Sequence, residues 1–558
     1  MNGVLASLLL LSTGLYSQTT VTPAEPSAVR TGSPEILSAL PVDVVFAVTV
    51  RDLAECDGKL AKLMERLGFP ISPYTLLKGA LGIVSGLNDD GSAAVAVMAP
   101  DPAGAASKRI VLLLPTTDRA ALLTFLNPRP VDESYVKVTL RGRETYVGTK
   151  GRFTVFGPDI ETVRHVVNAK TRLIDRFSTH LLKQFGANDV SLWVNVASLA
   201  SGAFGERPVA WLQRTFGVES LKQYESFQWS SRFETDGLYL ELSAARAQPG
   251  RTANRRETTD SLLTGLPDER FIMALGLLDD DGGARLSSMT NRIISASTAF
   301  GIIEPSQSAA LARAYESVVG KITEASASVS LLPDGSHGRI ALTKVLRTRG
   351  DGRAVLDDVQ SILNVLKSGP FVDPLINRVA ERIEYRRAAE TSGTIIIDHL
   401  SVNLSEFEGI DHEALKKLLG PEGYLTRIGV VDGNSVVIAL GGGLVRFNEV
   451  MALVRAKKAP LMEDPGIRQS AKKLAGERSL EAYFSFDRCL RLTKEVLAAT
   501  GVAGTIPDMS ELGVPVALTM HSVNPRETEL RIFVPTELVV AIKDLMMARL
   551  ASRVGSGE

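Results

Sequence analysis

One apolar pattern occurs four times along the chain, and it limits the folds that the chain can adopt. A β-rich run leads directly into a helix start in "DVVFAVTVRDLAEC" from Asp43, "DVSLWVNVASLAS" from Asp189, "ERFIMALGLLDDD" from Glu269 and "RSLEAYFSFDRCL" from Arg478. Apolar residues at every second position predict a strand, and apolar residues three or four apart predict a helix. We therefore expect four equivalent strand-to-helix corners.

The segments between these corners repeat in the same order. A pair of strand patterns, "SAAVAVMA" and "RIVLLL", follows the first corner, and "ASASVSLL" and "RIALTKVL" follow the third. Residues 145–170 match residues 427–457, and each half closes with a hairpin pattern. Repeats of this length exceed the solenoid period of about 20 to 50 residues. The sequence predicts two tandem copies of one α+β domain, each an antiparallel sheet with helices packed on one face.

The predicted domains are residues 35–246 and 266–558, and the second carries an insertion near 370–419. Residues 247–265 form the linker, because "RAQPGRTANRRETTD" is polar and contains Pro, Gly and several arginines. Two large domains also suit a chain of 558 residues, which is too long for one ordinary core.

The N-terminus has the pattern of a secretory signal. The apolar run "VLASLLLLSTGLYS" ends near Ser17, and a polar segment rich in Thr and Pro follows it over residues 18–34. The run is too short to span a bilayer comfortably. We expect residues 1–17 to be a signal peptide, the mature chain to lack a transmembrane segment, and the protein to reside in the periplasm or cell envelope. The alternative is a buried N-terminal helix.

Charge and composition narrow the range of partners. Basic residues number 62 and acidic residues 63, so the formal net charge is −1. Such a chain has no strong positive field to hold a phosphate backbone, and we expect no nucleic-acid partner. Apolar residues at 45% and charged residues at 22% are normal for a globular protein and exclude wholesale disorder.

The two cysteines, Cys56 and Cys489, are too few for a disulfide-stapled scaffold. In "DLAECDGKLAKLMERL" the apolar residues form one helical stripe, which places Cys56 on the buried face and Lys59 and Lys62 away from it. Cys489 has similar apolar neighbours. Both are predicted to be small core residues, with a disulfide between them as the alternative.

One segment, "DHLSVNLSEFEGIDHEA", contains residues that could bind a metal ion. Its candidate ligands are Asp398, His399, Glu406, Glu408, Asp411, His412 and Glu413. Two histidines beside carboxylates could converge on zinc. The structural alternative is favoured, because Asp411 suits a helix N-cap with Glu413 in the first turn. We therefore expect no metal and no cofactor.

Other motifs also have structural explanations. Residues 470–473 fit S-x-x-K but resemble a solvated helix face, and "GGGLVRF" at 441–447 resembles a structural turn more than a phosphate site. The acidic turns at 88–91 and 279–283 lack the spaced ligands of a calcium loop. No G-x-S-x-G elbow, Walker motif or dinucleotide fingerprint occurs. The sequence thus offers no catalytic residue.

Aromatic side chains are sparse, with tryptophan at three positions. Trp193 lies within a predicted strand and is expected in the core. Core packing is also favoured for Trp211 and Trp229, with an exposed binding edge as the alternative.

The phrase "LSALPVDVVFAVTVRDLAECDGKLAKLMERLG", followed by "LKGALGIVSGLNDDG", resembles a group of bacterial secreted proteins common in planctomycetes. Those proteins open with an LP-x-D strand and repeat α+β blocks. The resemblance implies export and the duplicated fold, and it supplies no activity and no site residues.

Three functional hypotheses follow. The first is an exported, non-enzymatic scaffold or binding protein of the cell envelope with an unidentified protein partner. The second is an extracytoplasmic carrier of a lipophilic small molecule, and the third is a hydrolase whose active site is assembled from distant residues. A well-filled core favours the scaffold, a large apolar cavity favours the carrier, and a cleft that gathers Ser, His and Asp favours the hydrolase.

Overall fold

The computed structural model describes residues 35–99, 109–200, 223–248, 257–279, 304–368 except 334 and 336, 374–403, 412–499 and 509–556, with scattered helical positions between 286 and 298. These residues form two compact units. The first unit contains the described parts of Thr20–Gly250 and Ser522–Glu558, and the second contains those of Arg251–His521. The predicted signal peptide and the segment at 18–34 lie outside the described residues.

The first unit alternates strands and helices. Its strands are β1 (Val44–Val50), β2 (Ala93–Met98), β3 (Ile110–Pro115), β4 (Arg129–Pro130), β5 (Val136–Leu140), β6 (Arg143–Lys150), β7 (Phe153–Gly157), β8 (Val190–Asn195), β9 (Tyr224–Phe233), β10 (Gly237–Arg246) and β20 (Glu527–Pro535). Its helices are α1 (Glu35–Ala39), α2 (Leu53–Arg66), α3 (Pro73–Leu81), α4 (Arg119–Leu123), α5 (Ile160–Asn168), α6 (Thr179–Ala187), α7 (Val196–Ala200) and α15 (Thr536–Ser556), with 3₁₀ turns at Thr124–Leu126 and Leu173–Arg176.

The second unit has the same mixture. Its strands are β11 (Arg270–Leu278), β12 (Ile322–Leu331), β13 (Ile340–Thr348), β14 (Ile383–Ser392), β15 (Ile395–Val402), β16 (Tyr424–Val431), β17 (Ser435–Leu440), β18 (Leu480–Phe484) and β19 (Val516–Asn524), the last of which continues into residues of the first unit. Its helices are α8 (Pro305–Val319), α9 (Arg353–Ser368), α10 (Pro374–Glu381), α11 (His412–Leu419), α12 (Gly443–Arg455), α13 (Pro465–Lys473) and α14 (Phe486–Ala499), with a 3₁₀ turn at Pro460–Glu463.

Each unit is built on an antiparallel sheet, which confirms the predicted class. The strand order in the first unit is β4-β5-β6-β7-β3-β2-β1-β8-β9-β10-β20. The order in the second is β14-β15-β16-β17-β13-β12-β11-β18-β19. The strands of the four sequence corners therefore pair as neighbours, β1 with β8 in the first unit and β11 with β18 in the second.

Helices cover both faces of the first unit's sheet, so the prediction of helices on one face is wrong. Val111 and Leu113 of β3 pack in a cluster with α1, α5 and α6. Leu114, which points the other way, packs with α2 and α4 in a second cluster. The physical reason lies in strands such as "IVLLL" at residues 110–114, which are apolar at every position and must bury both faces.

The second unit also has helices on both faces. Leu346 of β13 belongs to a cluster with α8, α9 and α10. Its neighbour Val345 packs on the other face with Phe447 and Val450 of α12. Successive strand residues point to opposite faces, so the two clusters lie on opposite sides of the sheet.

Asp52, Asp159 and Thr536 each precede an apolar helical pattern in the sequence, which predicts that each caps a helix, and two of the three do so. The Asp52 carboxylate accepts a hydrogen bond from the Glu55 amide at 2.8 Å, and Asp159 accepts one from the Thr162 amide at 2.7 Å, so both cap helices as expected. Thr536 was also expected to cap a helix. Its hydroxyl instead donates to the Thr235 carbonyl at 3.4 Å, and α15 begins at Thr536 itself.

Two predicted domain boundaries differ from the structure. The second domain was expected to reach residue 558, yet β20 pairs with β10 from Gly237–Pro535 to Ala245–Glu527 and belongs to the first unit. The linker was expected to reach residue 265, but Leu262, Leu263 and the nearby Leu266 are buried in the second unit. Strand pairing at the first boundary and burial of leucines at the second outweigh order along the chain. The segment predicted as an insertion supplies α10, α11, the edge strand β14 and its neighbour β15.

Candidate functional site

An apolar cavity of about 220 Å³ lies in the second unit, between one face of its sheet and helices α8 and α9. Its lining includes Val318 of α8, Val355 and Ile362 of α9, and Ala325 of β12. Helix α9 presents Val355 and Ile362 to the cavity because its apolar positions recur at helical spacing along one side. The small Ala325, buried beneath the helices, leaves room that a larger side chain would fill.

Lys344 is the one lysine or arginine among the described residues that line the cavity, and no described lining residue is acidic. It lies on β13 between Ala327 of β12 and Ile438 of β17, neither of which offers a polar side chain. Its side chain keeps some accessible surface, since it borders the cavity. Burial among apolar atoms lowers the pKa of the Lys344 ammonium to about 8.

No hydrogen bond or ion pair joins the Lys344 ammonium to any described residue, and its lowered pKa has burial as its one cause. At pH 7 the group is still mostly protonated, so it brings a positive charge to a cavity whose described lining residues include no acidic side chain. An unpaired charge in apolar surroundings is costly, and proteins usually retain one for a purpose such as binding an anion.

Tyr315 of α8 supplies a second polar group at the cavity wall. Burial raises the pKa of the Tyr315 phenol to about 12, so the group is neutral at physiological pH and can donate one hydrogen bond. A cavity with an apolar wall, one ammonium and one phenol can enclose a hydrocarbon and hold a polar end group.

A smaller cavity of about 110 Å³ occupies the first unit, between its sheet and helices α2 and α3. Leu112 and Leu114 of β3 line it, and its one basic group is Lys78. The Lys78 ammonium is paired with Asp89 at 2.9 Å and lies 4.4 Å from the centre of the Tyr74 ring. This cavity therefore has no unpaired charge among its described lining residues.

A third depression, of about 310 Å³, lies beside Lys59, Lys62 and Arg66 of α2. Its wall is largely made of charged side chains, so it resembles a solvent-filled groove rather than an enclosed site.

The structure does not bring the predicted metal ligands together where it describes them. The His399 imidazole contacts Glu390 at 3.0 Å, and Glu390 in turn accepts from Arg427 at 2.7 Å. Asp398 accepts hydrogen bonds from the Tyr385 hydroxyl and the Ala388 amide. Glu406, Glu408 and Asp411 lie outside the described residues. Within the described ranges, no three His, Cys, Asp or Glu side chains group closely enough to hold a metal ion.

The other motifs lie in structural positions. Ser470 is buried and donates to the Pro515 carbonyl at 3.2 Å, so it is not part of a solvated face as the sequence suggested. Gly441 and Gly442 both have positive φ, 76° and 73°, and form the turn into α12. Asp89 of the first acidic turn pairs with Lys78, and Asp279 of the second accepts from the Leu286 amide at 2.8 Å.

The cysteine and tryptophan predictions have mixed outcomes. Cys56 is buried and Cys489 is partly buried, and both thiols are free. Trp193 is buried as predicted, whereas Trp229 is 44% exposed on β9, so its predicted core position is wrong. Successive residues of β9 point to opposite faces of the sheet, and Trp229 lies on the face that is less covered. Trp211 lies outside the described residues.

Lys344 is the residue that motif searches missed. A signal was present in "RIALTKVL", where Leu342, Lys344 and Leu346 are alternate residues of a strand and therefore point to the same face of the sheet. All three line the cavity, so the lysine lies on a face that the flanking leucines mark as buried.

Comparisons with known proteins add little. No family model matches the sequence, and no curated protein matches it. Among solved structures, three crystal forms of TP0453 are weakly similar to parts of the chain. Form I has 10% identity and a TM-score of 0.24, and covers 43% of this chain and 83% of that chain. Form IV has 11% identity and a TM-score of 0.23, and covers 40% of this chain and 81% of that chain. Form III has 10% identity and a TM-score of 0.25, and covers 39% of this chain and 81% of that chain. Among the described helices, none has both the length and the apolar character needed to cross a membrane.

Proposed function

We propose that the protein is a carrier that binds a small lipophilic molecule in the second-unit cavity. The observation that supports this function is the apolar space of about 220 Å³ beneath α8 and α9. A dry apolar cavity of about 150 Å³ holds benzene, so by proportion this one suits a molecule of about nine carbons. A scaffold would need a filled core at this place, and the carrier hypothesis is therefore preferred over the scaffold.

Binding of 1-octanol, a neutral molecule of matching size, tests the proposal. Titration calorimetry with the wild-type protein should show saturable binding at one site. Ala325→Leu adds bulk to the cavity wall and should weaken binding about tenfold or more, because several buried methylenes of the alcohol lose their place. Ala309→Leu, the same change at an exposed position of α8, is the matched control and should leave binding unchanged. Absence of binding, or equal binding by both variants, overturns the carrier proposal.

We also propose that the two units are diverged copies of one domain, as the sequence pattern suggested. The proposal is supported by the order of six strands, β7-β3-β2-β1-β8-β9 in the first unit and β17-β13-β12-β11-β18-β19 in the second. Under this correspondence Leu112, opposite Val95, takes the place of Lys344, opposite Ala327. The two cavities are then counterparts, and among their described lining residues only the second cavity has an unpaired charge.

Export to the periplasm or cell envelope is a further part of the proposal. It is supported by the signal-like run that ends near Ser17. N-terminal sequencing of the protein from its native host should find a mature start between residues 17 and 30. An intact Met1 on cytoplasmic protein would contradict export.

A further inference from the structure

Lys344 narrows the class of molecule that the cavity can take. A neutral hydrocarbon would fill the apolar space and leave the ammonium without a partner. A molecule with a negatively charged end would satisfy both the apolar wall and the ammonium, since a charge-assisted hydrogen bond is about twice as strong as a neutral one.

We propose that the second-unit cavity selects a medium-chain lipophilic carboxylate, with the carboxylate paired to Lys344 and the chain enclosed by α8, α9 and the sheet. This inference rests on the proposed function and adds the chemical class of its ligand. The absence of acidic side chains among the described lining residues supports the assignment, because none competes for the ammonium.

The pairing has a defined dependence on pH. The free Lys344 ammonium loses its proton near pH 8, because burial lowers its pKa. A bound carboxylate favours the protonated ammonium, so carboxylate binding is strongest below pH 8 and weakens about tenfold per pH unit above it. Binding of a neutral molecule of the same length does not follow this profile.

The test compares octanoate with 1-octanol by titration calorimetry at pH 7. Octanoate should bind about 10- to 100-fold more tightly to the wild-type protein. Lys344→Met keeps the side-chain length and removes the charge, and it should abolish this preference while leaving 1-octanol binding nearly unchanged. Lys367→Met, an exposed position of α9, is the control and should keep the preference.

The outcomes separate the inference from the function on which it rests. Equal binding of octanoate and 1-octanol overturns the carboxylate inference and leaves the carrier proposal standing, whereas failure of both to bind overturns both. A thermal melt without ligand is a second measurement. The melting temperature of Lys344→Met should be higher than that of the wild type at pH 7, because the substitution removes an unpaired charge from an apolar site. A lower melting temperature would contradict the unpaired state of Lys344.

Discussion

At the residue scale, several buried charges in this protein are held by identifiable partners, and Asp189 is a clear case. Its side chain is 1% exposed, accepts a hydrogen bond from the Lys59 ammonium at 2.9 Å and accepts another from the Phe233 amide at 2.8 Å. Arg51 lies 3.5 Å away. The helical stripe placed Lys59 away from the core. The sequence could not show that a carboxylate far along the chain meets it there.

Lys59→Ala should therefore lower the free energy of unfolding by about 1 to 3 kcal/mol, since it removes one partner of a buried carboxylate. Lys62→Ala on the same helix is the control, and this exposed residue should change the free energy by less than about 0.5 kcal/mol. Urea unfolding followed by tryptophan fluorescence reports the relevant unit, because Trp193 and Trp229 both lie in it. Equal stabilities of the two variants would show that Asp189 does not need Lys59.

Glu241 makes the stability of the first unit depend on pH. Burial, and then the nearby Glu529 carboxylate, raise the pKa of Glu241 to about 7 from an ordinary 4.5. The Asn188 amide donates to it at 2.7 Å, and Arg531 and Arg232 oppose the shift. The folded state holds the proton more tightly than the unfolded state, so the free energy of unfolding falls as pH rises between about 4.5 and about 7.

Glu241→Gln should remove this contribution. The variant should melt several degrees above the wild type at pH 8 and close to it at pH 4.5, as measured by differential scanning calorimetry. Glu225→Gln, the same change at an exposed position of β9, should have the melting temperature of the wild type at both pH values. A Glu241→Gln variant with the wild type's pH profile would contradict the raised pKa.

At the element scale, local signals predicted the strands and helices well. The corner strands, the pair β2–β3 and the caps at Asp52 and Asp159 depend on neighbours in sequence, so periodicity and side-chain chemistry were enough. The sequence analysis predicted helices on one face of each sheet, although the uniformly apolar run "IVLLL" at residues 110–114 indicated burial on both faces. Trp229 and Thr536 were misplaced because their surroundings come from distant segments.

Gly441 gives an element-scale prediction for the turn between β17 and α12. Its φ is 76°, and an added Cβ would lie 2.1 Å from the Ile340 carbonyl oxygen. Gly441→Ala should destabilise the second unit by at least about 2 kcal/mol, because backbone strain and a steric clash combine. Gly350→Ala, where an added Cβ meets no atom within 4 Å, should change stability by less than about 0.5 kcal/mol. Circular dichroism melts that rank the two variants equally would contradict the turn geometry.

At the scale of the whole molecule, the first unit is assembled from two separate parts of the chain. Strand β20 pairs with β10 along nearly its full length. Trypsin should cut first between residues 251 and 256, before the packed Leu262 and Leu263. The resulting fragments should stay together in native gel filtration and separate in urea. Early cleavage inside either unit, or separation without urea, would contradict this assembly.

The cavity could not be predicted from sequence, because its wall comes from β12, β13, β17, α8 and α9, which only the folded chain brings together. The alternation of Lys344 with Leu342 and Leu346 along β13 predicts that the lysine points inward, but it does not predict the empty space beside it. Packing detail of that kind depends on the volumes of many side chains at once.

A crystal structure of the protein with 8-bromooctanoate would show directly where the carboxylate binds, because bromine can be located by its anomalous scattering. We expect one strong bromine peak in the second-unit cavity near Val355 and Ile362, with the ligand carboxylate within hydrogen-bonding distance of the Lys344 ammonium. A bromine peak outside the cavity, or an empty cavity at saturating ligand, would contradict this expectation.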